Sequence, residues 1–388
     1  MGDIKNLPGI QSSGVGHNKV LLRVDLNVPM LGSEVSDSTR IERIIPTVRY
    51  LIESGAKIIL ISHLGRPKGP EEGLSLRPIA GVVSKVLKTG VTFVPGISSK
   101  QVHTVLDSLP WGSVVLLENL RFYSGETSND PEFAQQLAEL ADIYVNDAFS
   151  CSHRKHASID GVARCLPSFA GFNLQEELQH IGSLVSERPV AAVVGGAKAS
   201  TKIRMLSNLA SKVDFLILGG GLSNTFLHVS GFKVGSSICE HNHDETLSVL
   251  EVAKQSGCKI ILPTDHVVAQ SPDGLAVMKE NCSVEDEDII FDIGNKTSIL
   301  IGETLSKCST VFWNGPMGMF ENKNFSRGTE DLIRDIVDCH KSRKAKTIAG
   351  GGDSIFALKS LGYHEQDFTY VSTGGGALLH FLSDQSSS

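Results

Sequence analysis

The sequence contains no pattern that would tie the chain to a membrane, a nucleic acid or a structural metal. No apolar run approaches the roughly 20 residues that a membrane-spanning helix needs. The N-terminal MGDIKNLPGI lacks the apolar core of a secretory leader, and Asn6 stands where an acylation signal would want Ser or Thr. Seven cysteines, Cys151, Cys165, Cys239, Cys258, Cys282, Cys308 and Cys339, are odd in number, scattered and never paired as CxxC. That excludes a disulfide framework or zinc ribbon and is expected of reduced thiols in a cytoplasmic protein. A net charge of −7 leaves no overall field to attract nucleic acid or an anionic lipid surface, so an anionic ligand must be caught by a local cluster. No GxxxxGK[ST] string occurs, and the run Gly219-Gly220-Gly221-Leu222-Ser223-Asn224 ends in asparagine where GxGxxG needs glycine. A nicotinamide-dependent dehydrogenase is thereby disfavoured.

What is present is ordinary globular composition over 388 residues, with 41% hydrophobic and 20% charged residues, a length that predicts two domains. Short runs rich in Val, Ile and Leu alternate with stretches of helical periodicity, the signature of βαβ units around a parallel sheet. In the first half these are VLLRVDLNV, KIILISHLG, VTFVP, VVLLENLRF and IYVNDAF. The second half has PVAAVVGGAK, FLILGGG, KIILPTD, TVFWNGP, KTIAGGGD and FTYVSTGGG. The fold class predicted is α/β, two doubly wound parallel-sheet domains. Helical spacing from about Gly171 to Glu187 predicts a connecting helix, which divides the chain into 1–170, 171–187, 188–370 and a final segment 371–388. The terminal SDQSSS reads as a frayed end.

In open α/β sheets ligands bind beyond the carboxyl ends of the strands, and there the two halves differ. The first collects Arg23, Asp25, Asn27, His63, Arg66, Arg121, His153 and Arg154, with Arg40 in the segment SDSTRIERI. Rigid guanidinium forks of this kind suit a small polyanion. Asp25 and Asn27, at strand spacing, point to one side; Asp25 would bind a ligand hydroxyl or hold an arginine. The second half collects glycines: Gly195-Gly196, Gly219 to Gly221, Asn314-Gly315-Pro316, Gly350 to Gly352 and Gly374 to Gly376. GGAKASTK reads as the opening of a helix with Lys198 and Lys202 stacked on one face, which favours an anion between them. GGGDS offers backbone donors, a hydroxyl and Asp353, a carboxylate for a hydrated Mg²⁺ or an N-cap for the following helix. His241 to Asp244 reads as a hydrated loop without a role.

These residues fall in strings, RVDLNVP, SHLGRP, ENLRF, NDAF followed by HRKHAS, GGAKASTK, GGGLSNTFL, DIG, WNGPMGMFE, GGGDS and STGGGA, that resemble the phosphoglycerate kinase family in order and spacing from about Val20 to Ala377. The resemblance implies two Rossmann-like domains facing a cleft, phosphoglycerate on 1–170 and Mg-nucleotide on 188–370, a hinge at 171–187, and 371–388 returning toward the first domain. It implies reversible phosphoryl transfer between 1,3-bisphosphoglycerate and ADP, giving 3-phosphoglycerate and ATP, by a cytoplasmic monomer with no nucleic-acid or membrane partner. Asp25, Asn27, Arg40, His63, Arg66, Arg121 and Arg154 would hold the phosphoglycerate. Gly196, Ala197, Lys202, Gly219, Gly220, Gly294, Asn314, Pro316, Met319, Glu321, Gly351, Gly352, Asp353 and Ser354 would hold ATP or ADP, with Asp353 on the Mg²⁺ side. Arg40, Lys198, Lys202, Gly351 and Gly352 would stabilise the transferring group. A non-catalytic relative that only binds these ligands is the alternative. The chain departs from the family's pattern at Ser150-Cys151-Ser152, where Gly-Thr-Ala is usual, at Met319, where Val is usual, and in the short stretch after STGGGA.

Overall fold

The computed structural model describes residues 4, 6–32, 34–182, 187–200, 202–240 and 243–384, the side chains of Arg204 and 382–384 excepted. The chain divides into two compact units, Met1–Gln179 and His180–Ser388. The boundary falls within the helix Phe172–Gly182; of the helix expected over 171–187, residues 183–186 lie outside the described set.

The first unit is built on β1 (Lys19–Arg23), β4 (Lys57–Ile61), β5 (Val91–Val94), β6 (Val114–Leu117), β7 (Ile143–Asn146) and β8 (Ser168–Ala170), with a small hairpin of β2 (Met30–Leu31) and β3 (Glu34–Val35). The six-stranded sheet runs β5-β6-β4-β1-β7-β8, and every pairing in it is parallel. Side chains alternate between its faces, so Val20, Leu22, Ile58, Leu60, Val114 and Leu116 enter one core while Leu21, Ile59, Ile61, Val115 and Leu117 enter the other. Strands covered on both faces are apolar through their middles, so polar side chains gather toward their ends, such as buried Lys57 at the start of β4 and Arg23 at the end of β1.

The second unit has β9 (Val190–Val194), β10 (Phe215–Leu218), β11 (Lys259–Ile261), β15 (Thr310–Asn314), β16 (Lys346–Gly350) and β17 (Tyr370–Ser372), ordered β11-β10-β9-β15-β16-β17. In chain order that is 3-2-1-4-5-6, the doubly wound dinucleotide-fold order. The first sheet departs from it because β6 is inserted between β4 and β5. A second sheet of three antiparallel strands, β12 (Asp265–Ala269) flanked by β13 (Val277–Glu280) and β14 (Ile289–Ile293), was not foreseen in the sequence. The segment 371–388, expected to return toward the first domain, enters the second unit's sheet as β17. It continues as the helix Gly375–Asp384, packed on the helix Ile203–Ala210 of that unit, and 385–388 lie outside the described residues.

Two local expectations are corrected. Strand β1 ends at Arg23, so Asp25 and Asn27 sit in the following loop and not on a strand face. GGAKAS is likewise loop, with the helix beginning only at Ile203, so Lys198 and Lys202 do not stack on one helical face. Gly196, at φ 125°, has a backbone conformation outside the helical region, and Gly195 packs so closely that a Cβ on it would lie 2.0 Å from the Pro316 carbonyl oxygen.

At the end of β7 the buried Asp147 caps the helix Phe172–Gly182. It accepts the Leu174 N–H at 3.1 Å and the Thr47 hydroxyl, while Thr47 Oγ1 accepts the Phe172 N–H at 2.9 Å. Burial pushes this carboxyl up to about 7. Unfolded, it would titrate near ~3.9. Between those values the folded chain keeps a proton that the unfolded chain has lost, so this group's stabilising contribution is full below the lower value and is lost as pH rises through the upper one. Asp147→Asn retains the cap acceptor and removes the titration. Urea denaturation should therefore show wild type losing stability relative to the variant between about pH 4 and about pH 7; parallel pH profiles would refute it.

Candidate active site

In the first unit the site forms where β1 and β7, neighbours in space, have connections leading in opposite directions, the switch point of the sheet. Arg23, the last residue of β1, is buried, and its guanidinium donates to Ser158 Oγ at 3.0 Å, to the Val24 carbonyl and, at 3.0 Å, to His63 Nδ1. His63 is thus fixed with Nδ1 as acceptor. Burial holds its pKa well below the usual histidine range, and Arg23, Arg121, Arg154 and Arg40 add to that effect, so the imidazole is neutral at pH 7.

Past the strand, Asp25 Oδ1 accepts the Asn27 N–H at 3.0 Å, closing an Asx turn, and Asp25 Oδ2 takes Arg40 Nη1 at 2.9 Å and the Ser150 hydroxyl. Arg40 Nη1 also donates to the Asn27 carbonyl at 2.8 Å, and Asn27 Oδ1 accepts Gly65 N–H at 2.8 Å. Asp25 therefore holds an arginine in place. Arg121 reaches the Gly65 carbonyl through Nη1, while its buried Nε has no acceptor. Burial first, and Arg154 second, press its pKa down.

The counter-charges inside this cluster are few. Asp25 and Glu126 face four guanidiniums, and Glu126 is already occupied by Ser158 N–H at 2.9 Å and Ser158 Oγ at 2.6 Å. The surplus of positive charge and the orphan Arg121 donor suit a small anion. Asp25, His63 and Cys151 also bring three ligand atoms within 4.8 Å, yet Arg40 and Arg23 already engage the first two, and the surrounding guanidiniums oppose a dication.

The second unit places its site at the equivalent switch point, between β9 and β15. The helix Gly352–Ser360 starts here, capped by Gly351 at φ 103°, a left-handed-side conformation that a side chain resists. Asp353 lies in the first turn and is not the N-cap. The first-turn N–H groups have no acceptor within the helix and point out of its positive end. Ser354 is buried and ties two loops together, accepting Gly315 N–H at 2.7 Å and donating to the Gly350 carbonyl at 2.9 Å. Lys202 Nζ donates to the Gly195 carbonyl at 2.7 Å and to Asn314 Oδ1 at 3.1 Å. Burial depresses this lysine to about 8, opposed in part by the Asp353 carboxylate.

Alongside lies a cavity of about 360 Å³, within the size range of small-molecule sites. It is lined by Gly196, Ala197, Gly220, Pro316 and Asp353, and by Met319 and Glu321 with Phe291 and its neighbours on β14. Of the residues expected to hold nucleotide, Gly196, Ala197, Gly220, Pro316, Met319, Glu321 and Asp353 line it, whereas Lys202, Gly219, Asn314, Gly351, Gly352 and Ser354 do not. Gly220 spends its N–H on the Met317 carbonyl at 2.9 Å, so it permits close approach without donating. Gly294 is the N-cap of the helix Asn295–Leu305, with its Cα pressed on Asp265, and lies outside the lining. Lys198 is exposed in its loop, also outside the lining.

In the first unit Asp25, Asn27, Arg40, His63, Arg121 and Arg154 come together, and Arg66 is exposed. Sequence reasoning passed over Glu126, Ser158 and Asn119, whose Nδ2 donates to the Leu64 and Leu74 carbonyls at 2.8 Å and whose Oδ1 accepts Arg121 N–H at 3.0 Å. The ENLRF string contained Asn119, but nothing in the string marks it as the loop's anchor.

A family profile described as phosphoglycerate kinase matches residues 10–385. A phosphoglycerate kinase of Wolbachia sp. subsp. Drosophila simulans (strain wRi) is 45% identical over 97% of this chain and 96% of its own length. That of Maricaulis maris (strain MCS10) is 43% identical over 96% and 94%. Among solved structures, phosphoglycerate kinase from Coxiella burnetii superposes with a TM-score of 0.82 at 37% identity, covering 98% of this chain and 97% of its own. The enzyme from Pyrococcus horikoshii OT3 gives 0.83 at 30% identity, covering 98% and 96%.

Because Asp353 is the charge that opposes the depression of Lys202, Asp353→Asn should lower the Lys202 pKa below about 8. Titration of the Lys202 Cε resonance reads this directly; an unchanged midpoint would show that the two groups do not interact.

Proposed function

The chain belongs to the phosphoglycerate kinase family and is an enzyme of phosphoryl transfer between 1,3-bisphosphoglycerate and ADP, and we propose that it divides the two ligands between its two units. Phosphoglycerate is held by Asp25, Asn27, Arg40, His63, Arg121 and Arg154, with Arg66 contributing from the exposed loop after β4. The nucleotide occupies the cavity beside Gly196, Ala197, Met319 and Glu321, its phosphates toward Lys202, Gly351 and Gly352. The observation that carries this reading is the segregation of charge chemistry. One unit has a surplus of guanidiniums, and the other has a helix N-terminus, a half-buried lysine and an exposed carboxylate.

Asp353 fits a Mg²⁺ that keeps most of its water, because it is a hard-oxygen ligand on the cavity lining without a hydrogen bond to other described residues. Bound with the nucleotide, Mg²⁺ would neutralise phosphate charge. The remaining work falls to the chain. In the ATP-consuming direction the nucleophile is the C1 carboxylate of 3-phosphoglycerate, already ionised at pH 7, so no general base is required. His63 agrees with that: its Nδ1 lone pair accepts from Arg23 and its ring stays neutral. Arg40, Lys198, Lys202 and the N–H groups of Gly351 and Gly352 stabilise the charge spread over the transferring group. Lys202 has a third proton beyond the two it gives to Gly195 and Asn314. Transfer then requires that the two ligands be brought together with water excluded. A cytoplasmic monomer using small molecules alone is part of the same proposal; no described helix is long and apolar enough to cross a membrane.

Arg121→Ala removes a charged donor worth ~1.5–3 kcal/mol, so the KM for 3-phosphoglycerate should rise about 10- to 150-fold with the KM for ATP within about twofold. An equal rise for both would undo the assignment. Arg40→Ala should lower kcat by a factor on the order of 10²–10⁴ with nucleotide affinity intact; a kcat within about threefold of wild type would reduce Arg40 to a surface charge.

A further inference from the structure

The loop that carries Lys198 is gripped by a residue outside every motif so far described. Glu240 Oε2 accepts the Ser200 N–H at 2.6 Å, and Glu240 Oε1 accepts the Ser200 hydroxyl at 2.6 Å. The carboxylate also takes the Ala199 N–H, and these bonds, the Ser200 hydroxyl foremost, hold its pKa below the usual glutamate range. Both oxygens are thus spent on the segment directly after Lys198, a two-point grip that fixes position and orientation together.

Glu240 is itself held from behind. Its N–H donates to Thr225 Oγ1 at 3.1 Å, and two residues earlier the Ile238 carbonyl accepts Asn224 Nδ2 at 3.1 Å. Asn224 and Thr225 are buried in the helix Gly220–Val229, whose start is fastened to the glycine loop by Leu222 N–H donating to the Gly196 carbonyl at 2.8 Å. The strap Ile238–Glu240 therefore connects two ligand-facing parts of the unit. Ile238 lines the cavity, and Glu240 holds the lysine loop.

We propose that Glu240 is a positioning residue for phosphoryl transfer: by gripping Ser200 it sets the loop from which Lys198 reaches the transferring group. This rests on the nucleotide assignment above and adds to it the device that holds the lysine. Ala197, Lys198 and Ser200 of this loop are exposed, with Ala199 its one buried residue after Gly195, and misplacement of a catalytic cation by about an ångström costs on the order of 10²-fold in rate. The grip consists of hydrogen bonds, so a glutamine, which can accept from Ser200 N–H and donate to Ser200 Oγ, should replace the glutamate.

Steady-state kinetics on the full chain test this. Glu240→Ala should lower kcat at least about tenfold and leave the KM for 3-phosphoglycerate within about twofold. Glu240→Gln should stay within about threefold of wild type. Ser200→Ala should lower kcat, and Ser200→Ala combined with Glu240→Ala should be no slower than Glu240→Ala alone, because both remove one grip. A Glu240→Ala kcat within twofold of wild type overturns the proposal, as does Glu240→Gln falling as low as the alanine variant, or an additive double variant. A wild-type chain without turnover would instead defeat the functional reading. The grip then stands or falls on hydrogen exchange at the Ser200 amide of the ligand-free protein, which Glu240→Ala should speed at least about tenfold and Glu240→Gln should not.

Discussion

The two six-stranded sheets are parallel with their inner strands covered on each side, and the placement of the polar clusters at their strand ends follows from that constraint. A strand such as Lys57–Ile61, buried along its whole length, can carry neither a ligand-binding side chain nor an unpaired backbone group. Polar chemistry is therefore displaced to the carboxyl ends, where Arg23, Asn146, Asn314 and Gly350 close their strands. It collects where neighbouring strands send their connections opposite ways, β1 against β7 and β9 against β15.

With the positions set by topology, residue type decides what each unit binds. The first unit fills its switch point with guanidiniums, and neutrality is partly restored from within: Asp25 takes Arg40, and Glu126, through Ser158, backs Arg23. Such pairs orient their members more than they stabilise the fold. The second unit fills its switch point with glycines, so that backbone can approach backbone. Gly195 lies against Pro316, Gly351 against Gly375, and the result is a helix terminus presented to solvent with one lysine beside it.

The parallel strands of both units, the strand-end arginines and the glycine loops were legible because each rests on local chemistry: a run of β-branched residues, a fork-shaped cation, a missing Cβ. What escaped were relationships between segments far apart in the chain. The antiparallel β12–β14 sheet was missed because β13 is mostly exposed and the loops joining the strands are far longer than a two-residue hairpin turn. Asp353 could be read as cap or metal ligand from its string alone; the φ of Gly351 assigns the cap to the glycine. Lys198 and Lys202 obeyed helical spacing, but the helix begins only at Ile203, after Gly196 has taken a non-helical φ of 125°. Ser354, expected among the nucleotide-binding residues, ties Gly315 to Gly350, a role its string did not suggest. Glu240 carried no signal at all, since its partner Ser200 is 40 residues away.

The central claim is that phosphoglycerate and nucleotide bind to different units through these two strand-end constellations. Amide chemical-shift mapping on the labelled full chain, titrated separately with 3-phosphoglycerate and with Mg-ADP, tests it most directly. 3-Phosphoglycerate should move the resonances of Asn27, Gly65, Arg121 and Arg154 and leave Gly351 to Ser354 in place, while Mg-ADP should do the reverse. Perturbation of Gly351 to Ser354 by 3-phosphoglycerate alone, with Asn27 and Gly65 unmoved, would contradict the account.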